Sequence, residues 1–183
     1  MNRYIDINLQ PDAEMPLNWL MNAVYTKFHK VLCDLKSTSI AVSFPNYQVT
    51  LGNMLRLHGC ENDLHVFQES NWLGGMSGYC KAGEIAPVPD AVAYRNIKRK
   101  QSNMTQAKLN RLIKRGSIRE KETKEYKAKL FTKGLDNPYL ELTSGSNGQR
   151  HRRYIEFGPL LDNPVEGNFD QFGLSKTATI PWF

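Results

Sequence analysis

Disulfide chemistry has almost no material in this chain: its 183 residues include three cysteines, Cys33, Cys60 and Cys80, scattered through unrelated segments. An odd number without a spacing pattern makes no framework, and reduced thiols are expected. No C-x-x-C pair accompanies His58, Cys60, His65 and Cys80. These residues therefore do not read as a zinc site, and neither a metal nor another cofactor is expected. Long hydrophobic runs are missing too. No stretch approaches the ~18 apolar residues of a membrane span, and Met1 to Asp6 offers no apolar core of signal-peptide length. A cytoplasmic protein with no membrane association is the expectation. Internal repeats and low-complexity tracts are also absent. With 40% hydrophobic residues, the chain has enough apolar side chain for a sizeable core.

What the chain has in excess is positive charge in one place. Residues 95 to 133 hold 14 basic residues against three acids, Glu120, Glu122 and Glu125, a net of +11. The rest carries 10 basic and 15 acidic residues, a net of −5. A field so concentrated attracts a polyanion, and Lys or Arg contacts to phosphates release counterions. The lack of compensating acids before Glu120 argues against a merely solvated helix face. Nucleic-acid binding, weakened steeply by salt, follows from the charge pattern.

Periodicity orders the first half. Arg3 to Leu9 alternates as a half-buried strand. After Pro16, the residues Leu17, Leu20, Met21, Val24, Phe28, Val31 and Leu32 recur at helical spacing to about Asp34. Ile40 to Phe44 and Met54 to His58 read as strands, Glu61 to Asn71 as a helix, and Gly83 to Ala93 as short apolar pieces broken by Pro87 and Pro89. This order, βαββαβ, is the ferredoxin-like pattern. An α+β protein is expected, with a ferredoxin-like domain over 1–93 and a smaller domain over 94–183 built from a basic helix and terminal strands. In the second part, Arg95 to Gln101 is extended. Thr105 is a plausible N-cap for a helix to Arg115, with Gly116 as its stop. Glu120 to Leu130 forms another helix, and Tyr139 to Thr143, Arg152 to Phe157 and Thr179 to Phe183 are strand-like.

Lys108, Arg111, Lys114 and Arg115 fall on one face of the basic helix, while Leu109, Leu112 and Ile113 make a core stripe opposite. Such a helix can lie in a groove with its cations on phosphates. Arg99 and Gln101, two apart on an extended piece, share a side. Arg suits the O6/N7 edge of guanine and Gln the N6/N7 edge of adenine, although backbone contacts explain the pair equally well. His29 sits at the C-terminal half of the first helix, near the flank that carries Tyr25. A histidine there is more often structural than catalytic, yet imidazole suits both the base and the acid of metal-free RNA cleavage. The loop Ser144-Gly-Ser-Asn-Gly-Gln149 reads as a hairpin turn, or as hydroxyls and amides that orient a ribose or hold a phosphate.

Several segments together carry a resemblance over essentially the whole chain. They are Tyr4-Ile-Asp-Ile7, Lys27-Phe-His29, Ser43-Phe-Pro45, Tyr94 to Gln101, Ser144 to Gln149, Phe157-Gly-Pro-Leu160, Gly173-Leu-Ser-Lys176 and Pro181-Trp-Phe183. In order and spacing they resemble the CRISPR-associated, repeat-processing endoribonucleases of the type I-F (Ypest) subtype. The resemblance implies binding of the repeat hairpin in precursor CRISPR RNA and cleavage at the 3′ base of the stem by metal-independent 2′-hydroxyl attack, leaving a cyclic phosphate. It further implies that the enzyme stays on the mature guide RNA among other subunits of a type I-F surveillance complex. Carried over by position, His29 becomes the acid/base residue and Ser144 the holder of the 2′-hydroxyl, with Ser146 beside it. Arg99 and Gln101 become base readers, and Arg111, Lys114 and Arg115 become groove contacts; Lys108, on the same helix face, and Gln149, at the end of the loop, are further candidate RNA contacts. The family can carry a tyrosine where this chain has Phe172, so ring packing on His29 is expected without a phenolic hydroxyl. His151 stands where an aromatic ring stacks on the end of the stem. An alternative from another class is a non-catalytic RNA-binding scaffold that caps a guide RNA.

Overall fold

The computed structural model describes residues 1–101, 106–132, 136–143 and 148–183. Its first sheet is built from β1 (Arg3–Leu9), β2 (Ala41–Ser43), β3 (Met54–Gly59), β4 (Cys80–Ala82) and β5 (Ala86–Pro87). The strand order is β2-β3-β1-β4, every pair antiparallel, with β5 also on β1. On β1 the alternation does what its period demands: Ile5, Ile7 and Leu9 are buried, while Tyr4, Asp6 and Asn8 are half-buried. Two helices contact this sheet, α1 (Leu17–Asp34) on β1 and α2 (Glu61–Glu69) on β1 and β3. The first buries Leu20, Met21, Val24, Tyr25, Phe28 and Leu32, one stripe at helical spacing. The second is capped by Cys60, whose Sγ accepts from the Asp63 N–H at 3.4 Å, with Glu61 and Asp63 in its first turn.

The edge strand begins earlier than the expected Gly83 and comes in two pieces. Ile7 pairs Ala82 and Tyr4 pairs Ala86, a slip of one residue that marks an irregularity near Gly83, whose N–H donates to the Asp6 carbonyl at 2.8 Å. Pro87 is tolerated because an edge strand needs no outward N–H.

The second sheet has the order β7-β8-β6-β9, from β6 (Ala93–Lys100), β7 (Tyr139–Thr143), β8 (Arg150–Leu161) and β9 (Thr179–Trp182), again antiparallel. β7 and β8 form a hairpin in which Thr143 faces Arg150. Between β6 and β7 lie α3 (Gln106–Lys114) and α4 (Glu120–Thr132). Gly116, at φ +65°, ends α3 with its N–H on the Ile113 carbonyl, the left-handed stop that glycine allows. Thr105, the expected N-cap, lies outside the described residues. The apolar stripe of α3 is narrower than expected: Leu109 is buried and Leu112 half-buried, but Ile113 is 49% exposed and is no core residue. Among the described residues no helix is long and apolar enough to cross a membrane.

The buried side chains of the two sheets form one cluster, in which Ile97, Leu140, Leu142 and Ile155 join the residues of the first sheet. The C-terminal segment 168–178 runs between them under several ties. The Asn96 amide donates to the carbonyls of Ser175 (3.0 Å) and Ala178 (2.8 Å), and the Phe169 N–H donates to the Thr38 carbonyl. Farther on, Arg56 holds Asp6 through two hydrogen bonds of 2.6 and 2.9 Å and donates a third, of 2.8 Å, to the Phe183 carbonyl. Its guanidinium lies over the rings of Tyr4 and Phe183. A half-buried, bidentate pair of this geometry ties the chain end to β1 and β3 far better than an exposed pair would.

Next to that pair, His58 is fully buried, with Nε2 at 2.8 Å from the Ser43 hydroxyl and Nδ1 without a partner. Burial, then the Arg56 cation, then the terminal amine push its pKa from 6.5 down to about 3. The folded protein therefore binds fewer protons than the unfolded chain below pH 6.5, and stability present above that pH is lost as the pH falls. Between pH 7.5 and 5 the wild type should lose about 2 kcal/mol more than His58→Leu, measured by urea unfolding at each pH. Identical pH dependence in the two proteins would contradict this reading of His58.

Candidate active site

Helical geometry puts Tyr25, His29 and Cys33 on one stripe of α1, each one turn from the next. Against this stripe the chain lays residues 170–173. The Tyr25 hydroxyl donates to the Phe172 carbonyl at 2.7 Å, and His29 Nδ1 lies 2.6 Å from the Gln171 carbonyl. A carbonyl oxygen can only accept, so Nδ1 carries the proton and Nε2 of the neutral ring presents a lone pair. Burial pushes the Tyr25 hydroxyl far above its ordinary range, so it stays a neutral donor. The Cys33 thiol points to the Gln171 side chain, with Sγ 3.3 Å from Oε1, and lies 3.6 and 3.8 Å from the two imidazole nitrogens. Burial, then the Asp34 charge, raise its pKa, which keeps it a thiol.

The loop that offers these carbonyls is itself rigidly made. Asp170 Oδ1 accepts from the N–H groups of Phe172 (2.9 Å) and Leu174 (3.0 Å), and the Gly173 N–H donates to the Asp170 carbonyl. The Val42 N–H of β2 donates to the Gly173 carbonyl at 3.0 Å. Gly173 has φ +68°, and a Cβ there would stand 2.9 Å from Phe28 Cζ and 3.1 Å from Val42 Cγ1. Both the backbone angle and the close approach require glycine.

Phe172 stacks on the imidazole of His29, with ring centroids 3.6 Å apart and an interplanar angle of 12°. Arg153 Cζ stands 3.4 Å from the same phenyl centroid. Two groups that close to one centroid cannot share a face, so the phenyl ring is sandwiched between imidazole and guanidinium. Arg153 is only 5% exposed, and its Nε has no partner. Burial lowers its pKa, with the Arg99 cation adding to the effect and Tyr25 and Asp170 opposing it. A cation on an aromatic face gains about 0.5–2 kcal/mol, whereas burying an ion costs several. The ring alone does not offset the burial of this charge.

Two cavities meet at this stack. One, of about 320 Å³, is lined by Thr26, His29, Leu142, Thr143, His151, Arg153 and Phe172. The other, of about 770 Å³, contains Arg99, Gln101, Gln171 and Lys176, and shares only Arg153 and Phe172 with the first. The structure thus brings His29, His151 and Phe172 together and sets Arg99 and Gln101 next door. It leaves Lys108, Arg111, Lys114 and Arg115 exposed along and just beyond α3, on the wall of neither cavity. Gln149 is exposed just before β8. Ser144 and Ser146 lie outside the described residues, although Thr143, immediately before Ser144, lines the cavity of His29. Sequence reasoning missed Arg153. The available signal was register: His151, Arg153, Ile155 and Phe157 share one face of β8, and Ile155 is wholly buried.

Comparison with known proteins covers nearly the whole chain. Residues 4–183 match the family profile described as CRISPR-associated protein (Cas_Csy4). Two relatives named CRISPR-associated endonuclease Cas6/Csy4 align over the full length of both chains. One, from Escherichia coli strain UTI89, is 38% identical, and one from Pseudomonas aeruginosa strain UCBPP-PA14 is 36% identical.

Replacing Gly173 by Ala should cost about 2–4 kcal/mol through the left-handed backbone and the clash with Phe28. It should also slow any reaction that depends on His29. Thermal unfolding of the variant checks the first effect, and a melting point equal to that of the wild type would show that the loop is not held as described.

Proposed function

The chain belongs to the Csy4 family of CRISPR-associated proteins, and from that premise we propose that it is a metal-independent endoribonuclease of precursor CRISPR RNA. It binds the repeat hairpin, cuts at the 3′ base of the stem and remains on the mature guide RNA as a subunit of a type I-F surveillance complex. The observation that carries the catalytic part is the hydrogen bond from His29 Nδ1 to the Gln171 carbonyl, which leaves Nε2 as the unprotonated nitrogen of the neutral ring and so a proton acceptor. In the reaction, Nε2 takes the proton of the ribose 2′-hydroxyl and the 2′-oxygen attacks phosphorus. The bond from phosphorus to the 5′-oxygen breaks, and that oxygen takes a proton from the imidazolium or from water, so that the proton lost by the 2′-hydroxyl is balanced by the one gained there. A 2′,3′-cyclic phosphate and a 5′-hydroxyl result.

Ser144 orients the 2′-hydroxyl with Ser146 beside it, a role supported by the place of Thr143 on the cavity wall. Phe172 supplies a flat support for the imidazole and no proton. His151, on the same wall, stacks on the end of the stem. Arg99 and Gln101 read bases low in the stem, while Lys108, Arg111, Lys114, Arg115 and Gln149 hold phosphates. The division of labour follows the two sheets: 1–93 as a ferredoxin-like catalytic domain and 94–183 as a hairpin-binding domain. The order β2-β3-β1-β4, with α1 and α2 on β1, supports the ferredoxin-like reading of the first.

His29→Ala should lower single-turnover cleavage of a repeat RNA by at least about 100-fold and leave hairpin affinity within a few-fold. A single 2′-deoxyribose at the cut position should block the reaction, and EDTA should leave it unchanged. Retained cutting by His29→Ala, or loss of cutting in EDTA, would refute the assignment.

A further inference from the structure

We propose that Arg153 is a further catalytic residue, whose guanidinium binds the phosphoryl oxygens of the scissile linkage where the RNA strand passes between the two cavities. The inference rests on the endoribonuclease reading above and adds a group to it. Arg153 and Phe172 are the two residues common to both cavity walls. A strand with one nucleotide beside Arg99 and Gln101 and its neighbour beside His29 must therefore cross the stack at these side chains. Of the two, only Arg153 carries charge. Arg99 and Lys176 are exposed and line the larger cavity alone.

The state of Arg153 fits an anion. Its side chain is buried, its Nε has no partner, and among the described residues no carboxylate lies within ion-pair distance. Asp170 acts on it only through space. A guanidinium presents up to five N–H donors in a planar fork, matched to two oxygens of one phosphate. With one phenyl ring between imidazole and guanidinium, a linkage at the edge of the stack can offer its 2′-hydroxyl to His29 Nε2 and its non-bridging oxygens to Arg153. As the 2′-oxygen attacks, negative charge accumulates on those oxygens. A donor held in place by burial stabilises such charge more than an exposed, mobile one does.

The test is single-turnover cleavage of repeat RNA carrying sulfur at one or the other non-bridging position of the scissile phosphate. The wild type should be slowed by one diastereomer about tenfold more than by the other. Arg153→Met should cut the all-oxygen RNA about 100-fold more slowly, bind the hairpin within about threefold of the wild type, and treat the two diastereomers alike. Arg153→Lys should fall between, and it serves as the readout if the Met variant fails to fold. Wild-type rates in the variants would overturn the inference, as would slowed cutting with the diastereomer preference intact or a wild type indifferent to both sulfurs. Failure of the wild type to cut any repeat RNA would instead refute the endoribonuclease reading.

Discussion

The pinning of residues 170–173 against the stripe of Tyr25 and His29 is the constraint on which the rest of the site depends. Two side chains one helical turn apart donate to two successive carbonyls, and the loop that offers those carbonyls is closed by Asp170 on one side and tied to Val42 on the other. A helix and a segment about 140 residues later in the sequence are thereby held in one register. A typical hydrogen bond contributes only about 1 kcal/mol net, so the strength of the arrangement lies in its redundancy. Hydrogen bonds reach the loop from α1, from β2 and from its own Asp170, and Gly173 admits no side chain between them and Phe28.

That register fixes chemistry as well as position. A histidine on an exposed helix face samples both tautomers, and in one of them Nε2 carries the proton and cannot accept one. Here the Gln171 carbonyl selects the proton on Nδ1, and the stacked Phe172 prevents the ring from tipping out of plane. The same phenyl ring separates the imidazole from the Arg153 cation, so a proton acceptor and a buried guanidinium are held within one stack. The basic surface of α3 lies apart from this stack, on the wall of neither cavity, so that under the proposed function gripping the RNA and cutting it fall to different parts of the molecule. Charge spread over exposed cations gives an affinity that salt weakens, whereas a buried charge can act only on what reaches the cavity it lines.

Much of this was legible in the sequence wherever a local period was strong. The stripe from Leu20 to Leu32 and the alternation from Arg3 to Leu9 announced α1 and β1, because neighbours in sequence alone decide which face is apolar. Gly116 marked the end of α3 for the same local reason. The edge strand was harder: its pairing to β1 depends on a register slip near Gly83 that no periodicity encodes. Ile113 read as core by helical spacing, yet α3 buries a stripe only wide enough for Leu109 and part of Leu112. His29 and Phe172 were named from resemblance, but their stacking and the carbonyl that orients His29 could not be. The contacts are to backbone atoms, which every residue type possesses, and they span most of the chain. Arg153 was hidden by its identity, since an arginine in the run Arg150-His-Arg-Arg153 reads as surface until the burial of Ile155 shows which face points inward.

The central claim, that the carbonyl of Gln171 holds His29 as the Nδ1–H tautomer with Nε2 unprotonated, is tested most directly by ¹⁵N NMR of the protein with labelled histidine at a pH where the imidazole is neutral. The account predicts a pyrrole-type shift for Nδ1 of His29 and a pyridine-type shift for Nε2, with both averaged in Gly173→Ala as the loop loosens. A proton found on Nε2 in the wild type, or averaged shifts at both nitrogens, would contradict it.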